Sequence, residues 1–135
     1  MSLDVKTLRT GQLKLSAGVS FLPGARVLYA APKSGIFTAT SNRSALITAI
    51  RFLNTNGSGM ASVTINLYFV RYDSGKMIHE RPRIRILPAN MALASGQWVL
   101  EDTRFTLEEG DVLLGDASQG DVIDYIISGT ERDVL

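Results

Sequence analysis

The chain has no cysteine and a single histidine, His79. Without thiols there can be no disulfide and no thiolate metal site, and the redox compartment stays open. One imidazole cannot make a two-histidine zinc site, and any Ser-His-Asp triad would have to be built on His79. Aromatic residues are only 7% of the chain, too sparse for the stacking platforms that bind single-stranded nucleic acid. The formal net charge is +1, so long-range steering toward a phosphate backbone is weak. No apolar run approaches the roughly 20 residues of a membrane helix. The opening MSLDVKTLRTGQLKL lacks the apolar stretch of a signal peptide. The expected compartment is a cytoplasm, or an assembly built in one, with no membrane partner.

What the chain does contain is a succession of short alternating segments punctuated by Gly, Pro, Asn and Asp. Its 135 residues suit one domain, and 45% hydrophobic residues suit a packed core. The clearest segment is 61–72, ASVTINLYFVRY. Val63, Ile65, Leu67 and Phe69 fall on one face, and Ser62, Thr64 and Asn66 on the other, which is the period of a half-buried strand. Residues 12–21 alternate in the same way, as do 26–31 ahead of Pro32. A brief strand is expected over 36–40. Segment 45–53, ALITAIRFL, is apolar on both faces, which predicts a central strand covered on each side. The Asn-Gly loop at 54–59 predicts a hairpin joining 45–53 to 61–72. Further short strands are expected over 76–80, in RIRIL, at 91–94, 97–100, 105–107 and 112–115, and over 121–128. The tail from Gly129 reads as loosely held.

Turn signals recur at roughly 8–12-residue spacing, the grammar of sandwiches and barrels. The expected fold is all-β, an antiparallel β-sandwich of jelly-roll type. Residues 1–10, in which the alternation slips after Val5, read as an extended N-terminal arm, with 11–135 as a single domain. Such an arm can add to a neighbour's sheet edge through Leu3, Val5 and Leu8.

Chemistry-bearing residues are few. His79, beside Glu80 and between turns, reads most simply as an exposed edge residue. Asp116 and Asp121 flank DASQGD and are the best-placed calcium donors, but their spacing fits no EF-hand, so no metal and no cofactor is expected. NTNGSG lacks the Lys-Ser/Thr of a phosphate loop. Arg81, Arg83 and Arg85 alternate with other residues, so a strand would align them in one positive stripe. The plain reading is a solvated guard on an edge strand; the functional one is a salt-bridged contact with an acidic partner. Trp98, next to a turn, reads as a core or subunit-interface residue ahead of a sugar-stacking one.

The order of motifs carries a resemblance. LYAAP at 28–32 is followed by ALITAIRFLNTNGS, VTINLYFV, ILPANMALA, TLEEGDVLLGDAS and finally VIDYIISGTE, ending at Glu131. This series resembles a group of small bacteriophage virion structural proteins; the first ten residues and RPRIRIL lie outside the pattern. The resemblance implies a non-enzymatic β-sandwich that decorates a capsid or forms part of a neck or tail. It would be a homo-oligomer, a trimer favoured, contacting itself and other virion proteins such as the major capsid protein, with no specific nucleic acid. It also implies that Gly110 and Asp111 shape a turn, as do Asn54 and the Gly57–Gly59 segment. The expected interface residues are Leu3, Val5, Leu8, Arg81, Arg83, Arg85 and Trp98. The alternative expectation is a carbohydrate- or receptor-binding module of a tail fibre, resting on Trp98.

Overall fold

The computed structural model describes residues 5–15, 27–36 and 39–134, apart from the His79 side chain. Among them run ten strands: β1 (Lys6–Gln12), β2 (Val27–Ala30), β3 (Arg43–Asn54), β4 (Val63–Val70), β5 (Ile84–Arg85), β6 (Met91–Leu93), β7 (Trp98–Glu101), β8 (Phe105–Leu107), β9 (Val112–Ala117) and β10 (Ile123–Asp133). A single 3₁₀ turn, Ile78–Glu80, lies between β4 and β5.

The strands form two antiparallel sheets. In sheet A the order is β1-β10-β3, with β7 and β8 both pairing the far side of β3. In sheet B it is β2-β9-β4, with β5 and β6 both pairing the far side of β4. An isolated parallel bridge, Leu15 to Ala117, carries the chain after β1 onto sheet B. Side chains from both sheets, including Ile47, Ile50 and Phe52 of β3 and Ile65 and Leu67 of β4, meet in one core. The arrangement is consistent with a β-sandwich, each strand presenting alternate residues inward.

Segment 61–72 behaves as its pattern predicts on the inner face: Val63, Ile65 and Leu67 are fully buried. The other face is not simply wet, since Asn66 and Val70 are buried as well. A small second core explains this. Ile78, in the 3₁₀ turn, packs with Val70, Val112 and Leu114 on the outside of sheet B. The strand covered on both faces is therefore β9, buried along its whole length, and not β3, whose Arg51 is exposed.

Several expectations are corrected. The strands at 45–53 and 61–72 do not form a hairpin; β3 and β4 lie in different sheets, and loop 55–62 is an arch between them. Asn54 shapes that arch: its Nδ2 donates to Leu93 O at 2.9 Å, and its Oδ1 accepts the Asn56 N–H at 2.9 Å. A buried asparagine that satisfies two backbone groups redirects the chain more strongly than the Asn-Gly dipeptide beyond it. Residues 76–80 hold the 3₁₀ turn and no strand. Of the strand expected over 36–40, residues 37 and 38 lie outside the described residues; Ile36 ends a turn over 33–36, closed by its N–H to Lys33 O, and residues 39 and 40 are not in a strand. The tail is strand up to Asp133, hydrogen-bonded along Arg43–Ile47.

The expected boundary after residue 10 falls inside β1, which pairs with β10 of its own chain from Lys6 to Gln12. The slip that read as an arm is a register shift between Thr7 and Arg9 that leaves Leu8 out of the ladder. A bulge of this kind breaks alternation without ending a strand. Leu3 and much of the 12–21 segment lie outside the described residues.

Candidate interaction surfaces

The two sheets present different outer faces. On sheet B that face carries the Ile78 cluster and, beside it, a polar network centred on Asn66. Asn66 Nδ2 donates to Asp116 Oδ1 at 3.0 Å and to Asn90 Oδ1 at 3.1 Å. Its Oδ1 accepts the Asn90 N–H and Arg85 Nη1, both at 2.9 Å. Every polar atom of this nearly buried amide is thus engaged, and Arg85 is held in one orientation.

Arg85 and Arg83 both rest on Tyr68, with guanidinium carbons 4.9 and 5.5 Å from the ring centroid. Arg81 departs from the expected stripe. It caps the 3₁₀ turn, donates from Nε and Nη2 to Lys76 O, and lies 5.2 Å from the Tyr72 ring centroid. The reason is local: β5 is only Ile84–Arg85, so Arg81 is not on a strand. Lys33 also approaches Tyr72, at 5.0 Å. Guanidinium groups over tyrosine faces are held by the ring quadrupole and lose less freedom on binding an anion.

Sheet A has no such cover among the described residues. Its outer face is built from two cross-strand rows. One runs Gln12–Asp124–Leu53–Trp98, the other Thr10–Ile126–Arg51–Leu100. Trp98 is 56% exposed, Leu100 46% and Ile126 39%. Arg51 lies over the indole, its guanidinium carbon 5.5 Å from the ring centroid. Trp98 is therefore not a core residue; it stands on an edge strand with its apolar neighbours. Leu100 shares that face because it lies two residues on along β7, whereas Ile126 comes from β10 and is brought level only by register, which the sequence could not show.

The remaining expected interface residues are dispersed. Val5 is exposed at the start of β1, and Leu8 packs against the core. At the end of β10, Glu131 accepts a hydrogen bond from the Tyr29 hydroxyl and faces Arg43 at 3.6 Å and Lys6 at 3.8 Å. Burial, reinforced by that bond, raises the Tyr29 pKa well above its usual value. The bond ties sheet B to sheet A. Asp116 and Asp121 have different partners: Asp116 bonds Asn66, and Asp121 pairs with Lys14 at 2.7 Å.

The charged turn at 108–111 forms as the motif implies. Gly110 has φ 85°, a conformation that glycine adopts without strain. Asp111 Oδ1 and Oδ2 accept the N–H groups of Tyr72 and Glu108 at 2.7 and 2.9 Å.

Compared with known protein families and with characterised proteins, the chain matches none.

Proposed function

We propose that this chain is a structural protein of a bacteriophage virion, a capsid decoration or a neck or tail component that works through contacts with copies of itself and with other virion proteins. One observation carries the reading: among the described residues, sheet B covers the outer side of β9 with its own chain, whereas sheet A leaves Trp98, Leu100, Ile126 and the half-buried Leu53 open on its outer face. Apolar residues gathered on one surface and flanked by polar ones mark an association face. A sheet face is stiff, so a partner loses little entropy in fixing it.

The strand orders add support. Among the described strands, β1 pairs with β10 and β2 with β9, which fits a jelly-roll reading of the sandwich. That architecture recurs in viral capsid and lectin domains. Fold alone does not assign function; the motif series from LYAAP to VIDYIISGTE points to the virion side of that pair.

Electron microscopy of particles purified from the source, with the protein labelled at its C-terminus, tests the reading. Label at a repeating position on the particle supports it; label absent from particles overturns it. The exposure of Trp98 favours a second reading, sugar stacking at a fibre tip. That reading predicts glycan binding lost in Trp98→Ala with the fold intact and self-association unchanged.

A further inference from the structure

We propose that the seam between β5 and the β7–β8 edge is a docking groove for an extended segment of a partner protein, one whose residues alternate acidic and apolar. The proposal deepens the assembly reading and rests on it.

Ile84 starts the argument. It pairs directly with Phe69, on the inward side of β4, and residues opposite each other in a ladder share a face. Yet Ile84 is 58% exposed. Nothing among the described residues lies beyond β5 in sheet B, so the inner side of the seam stays open. The result is a groove of about 410 Å³ floored by Phe69, Ile84, Ile86 and Phe105, with Arg71 and Glu101 on its rims.

The backbone of β5 is set to accept a strand. The Ile86 N–H donates inward to Leu67 O at 3.0 Å. Alternation along an edge strand then turns the peptide groups of Arg85 outward. A segment laid along β5 would place one set of side chains over the groove and the other beside Arg83 and Arg85 on the outer face. The first set meets carbon, the second meets two guanidinium groups, one of them fixed by Asn66. Apolar and carboxylate side chains at alternate positions satisfy both.

The same features reject other occupants. A second copy pairing β5 to β5 would set arginines against arginines, which is destabilising. Nucleic acid would need free ring faces for stacking, and Tyr68 already carries both guanidiniums. Pro82 and Pro88 bracket the edge and keep indiscriminate strands from extending along it.

The test uses the full chain and synthetic peptides of about seven residues, near the usual strand length. One alternates glutamate with valine, a second replaces glutamate by lysine, and a third keeps the composition of the first in scrambled order. An oligothymidylate serves as a second polyanion. Calorimetry measures affinity, and backbone amide shifts locate binding. The glutamate–valine peptide should bind and shift residues 83–86. Arg83→Gln with Arg85→Gln, or Ile84→Ser alone, should weaken it about tenfold or more, whereas Trp98→Ala should leave it unchanged. Circular dichroism confirms that each variant is folded. Equal binding of the lysine or scrambled peptide, preference for oligothymidylate, or no peptide binding at all overturns the proposal. Self-association through sheet A is measured separately, so the assembly reading can survive that failure.

Discussion

At the scale of single residues, the fold depends on a few positions where backbones come unusually close. Gly129 is the sharpest. A Cβ there would sit 2.1 Å from Leu46 O, a backbone atom that cannot swing away. The cause is the bulge opposite: Ser128 pairs with Ala49 and Gly129 with Ile47, leaving Thr48 unpaired, its Oγ1 donating to Ser128 O at 3.1 Å. Gly129→Ala should cost about 3 kcal/mol or more, by overpacking against fixed main chain, read as a lowered urea midpoint. Gly57, which has nothing nearby, should tolerate alanine with little change.

Tyr29 makes a pH prediction at the same scale. Burial and the bond to Glu131 favour its protonated form in the folded state, raising its pKa. Its contribution is complete below the unfolded tyrosine value near pH 10 and is lost as pH rises beyond it. Stability should therefore fall above about pH 10, with a slope approaching 1.4 kcal/mol per pH unit for one such group. Tyr29→Phe should be less stable at neutral pH, through loss of the tie between sheets, and should show a shallower alkaline decline. Part of the slope should remain, because burial also raises Tyr125. Denaturation curves from pH 8 to 11 check this; an unchanged alkaline slope in the variant would contradict it.

At the scale of elements, periodicity made most strands visible, and sheet assignment stayed hidden. VTINLYFV alternates cleanly because one face meets a uniform core, so Val63, Ile65 and Leu67 could be read directly. ALITAIRFL could not be read in the same way. Its inward positions are Ala45 and Ile47 before the bulge, then Ile50 and Phe52 after it. A segment apolar on both faces conceals such a change of phase. The β3–β4 arch was illegible for a related reason: an Asn-Gly loop has the same composition whether the strands it joins pair or part. What separates the cases is the bond from Asn54 to Leu93, a contact between residues far apart in the chain. The Asp111 turn was legible because one of its bonds is local, from Glu108 N–H to Asp111, whereas the bond from Tyr72 N–H was not.

The candidate surfaces divide along the same line. Trp98 and the arginines could be named from sequence, and Leu100 shares the face of Trp98 by the period of β7, but Ile126 joins them only through the register of β7, β3 and β10. Element order also predicts dynamics. Among the described residues, β10 and β3 are paired on both sides in sheet A, whereas β1, β5 and β7 are edges. Hydrogen exchange should be slowest at β10 residues 125–130 and fastest along β5 and β7. Slow exchange at the outward amides of β7 in dilute solution would mean that this edge is already paired with a neighbour.

At the scale of the whole molecule, the two faces of the sandwich are unequal. Sheet B is finished by its own chain, through Ile78 outside β9 and the Asn66 network outside β4. Sheet A leaves Trp98, Leu100 and Ile126 exposed among polar residues of its outer face, with Arg51 set over the indole. A monomer gains nothing from that exposure, whereas burying such side chains in a contact is worth roughly 25 cal/mol for each square ångström of apolar area covered. The outer face of sheet A is thus where assembly should begin, and the apolar groove at β5, with Arg83 and Arg85 beside it, is where a different partner should be received.

Light scattering across a concentration series, on the native chain and on a Trp98→Ser, Leu100→Ser, Ile126→Ser variant whose β-sheet dichroism is intact, probes this most directly. The account predicts a mass of several chains for the native protein and of one chain for the variant. A native protein that keeps the mass of one chain at every concentration, or a variant that associates as strongly as the native form, would contradict it.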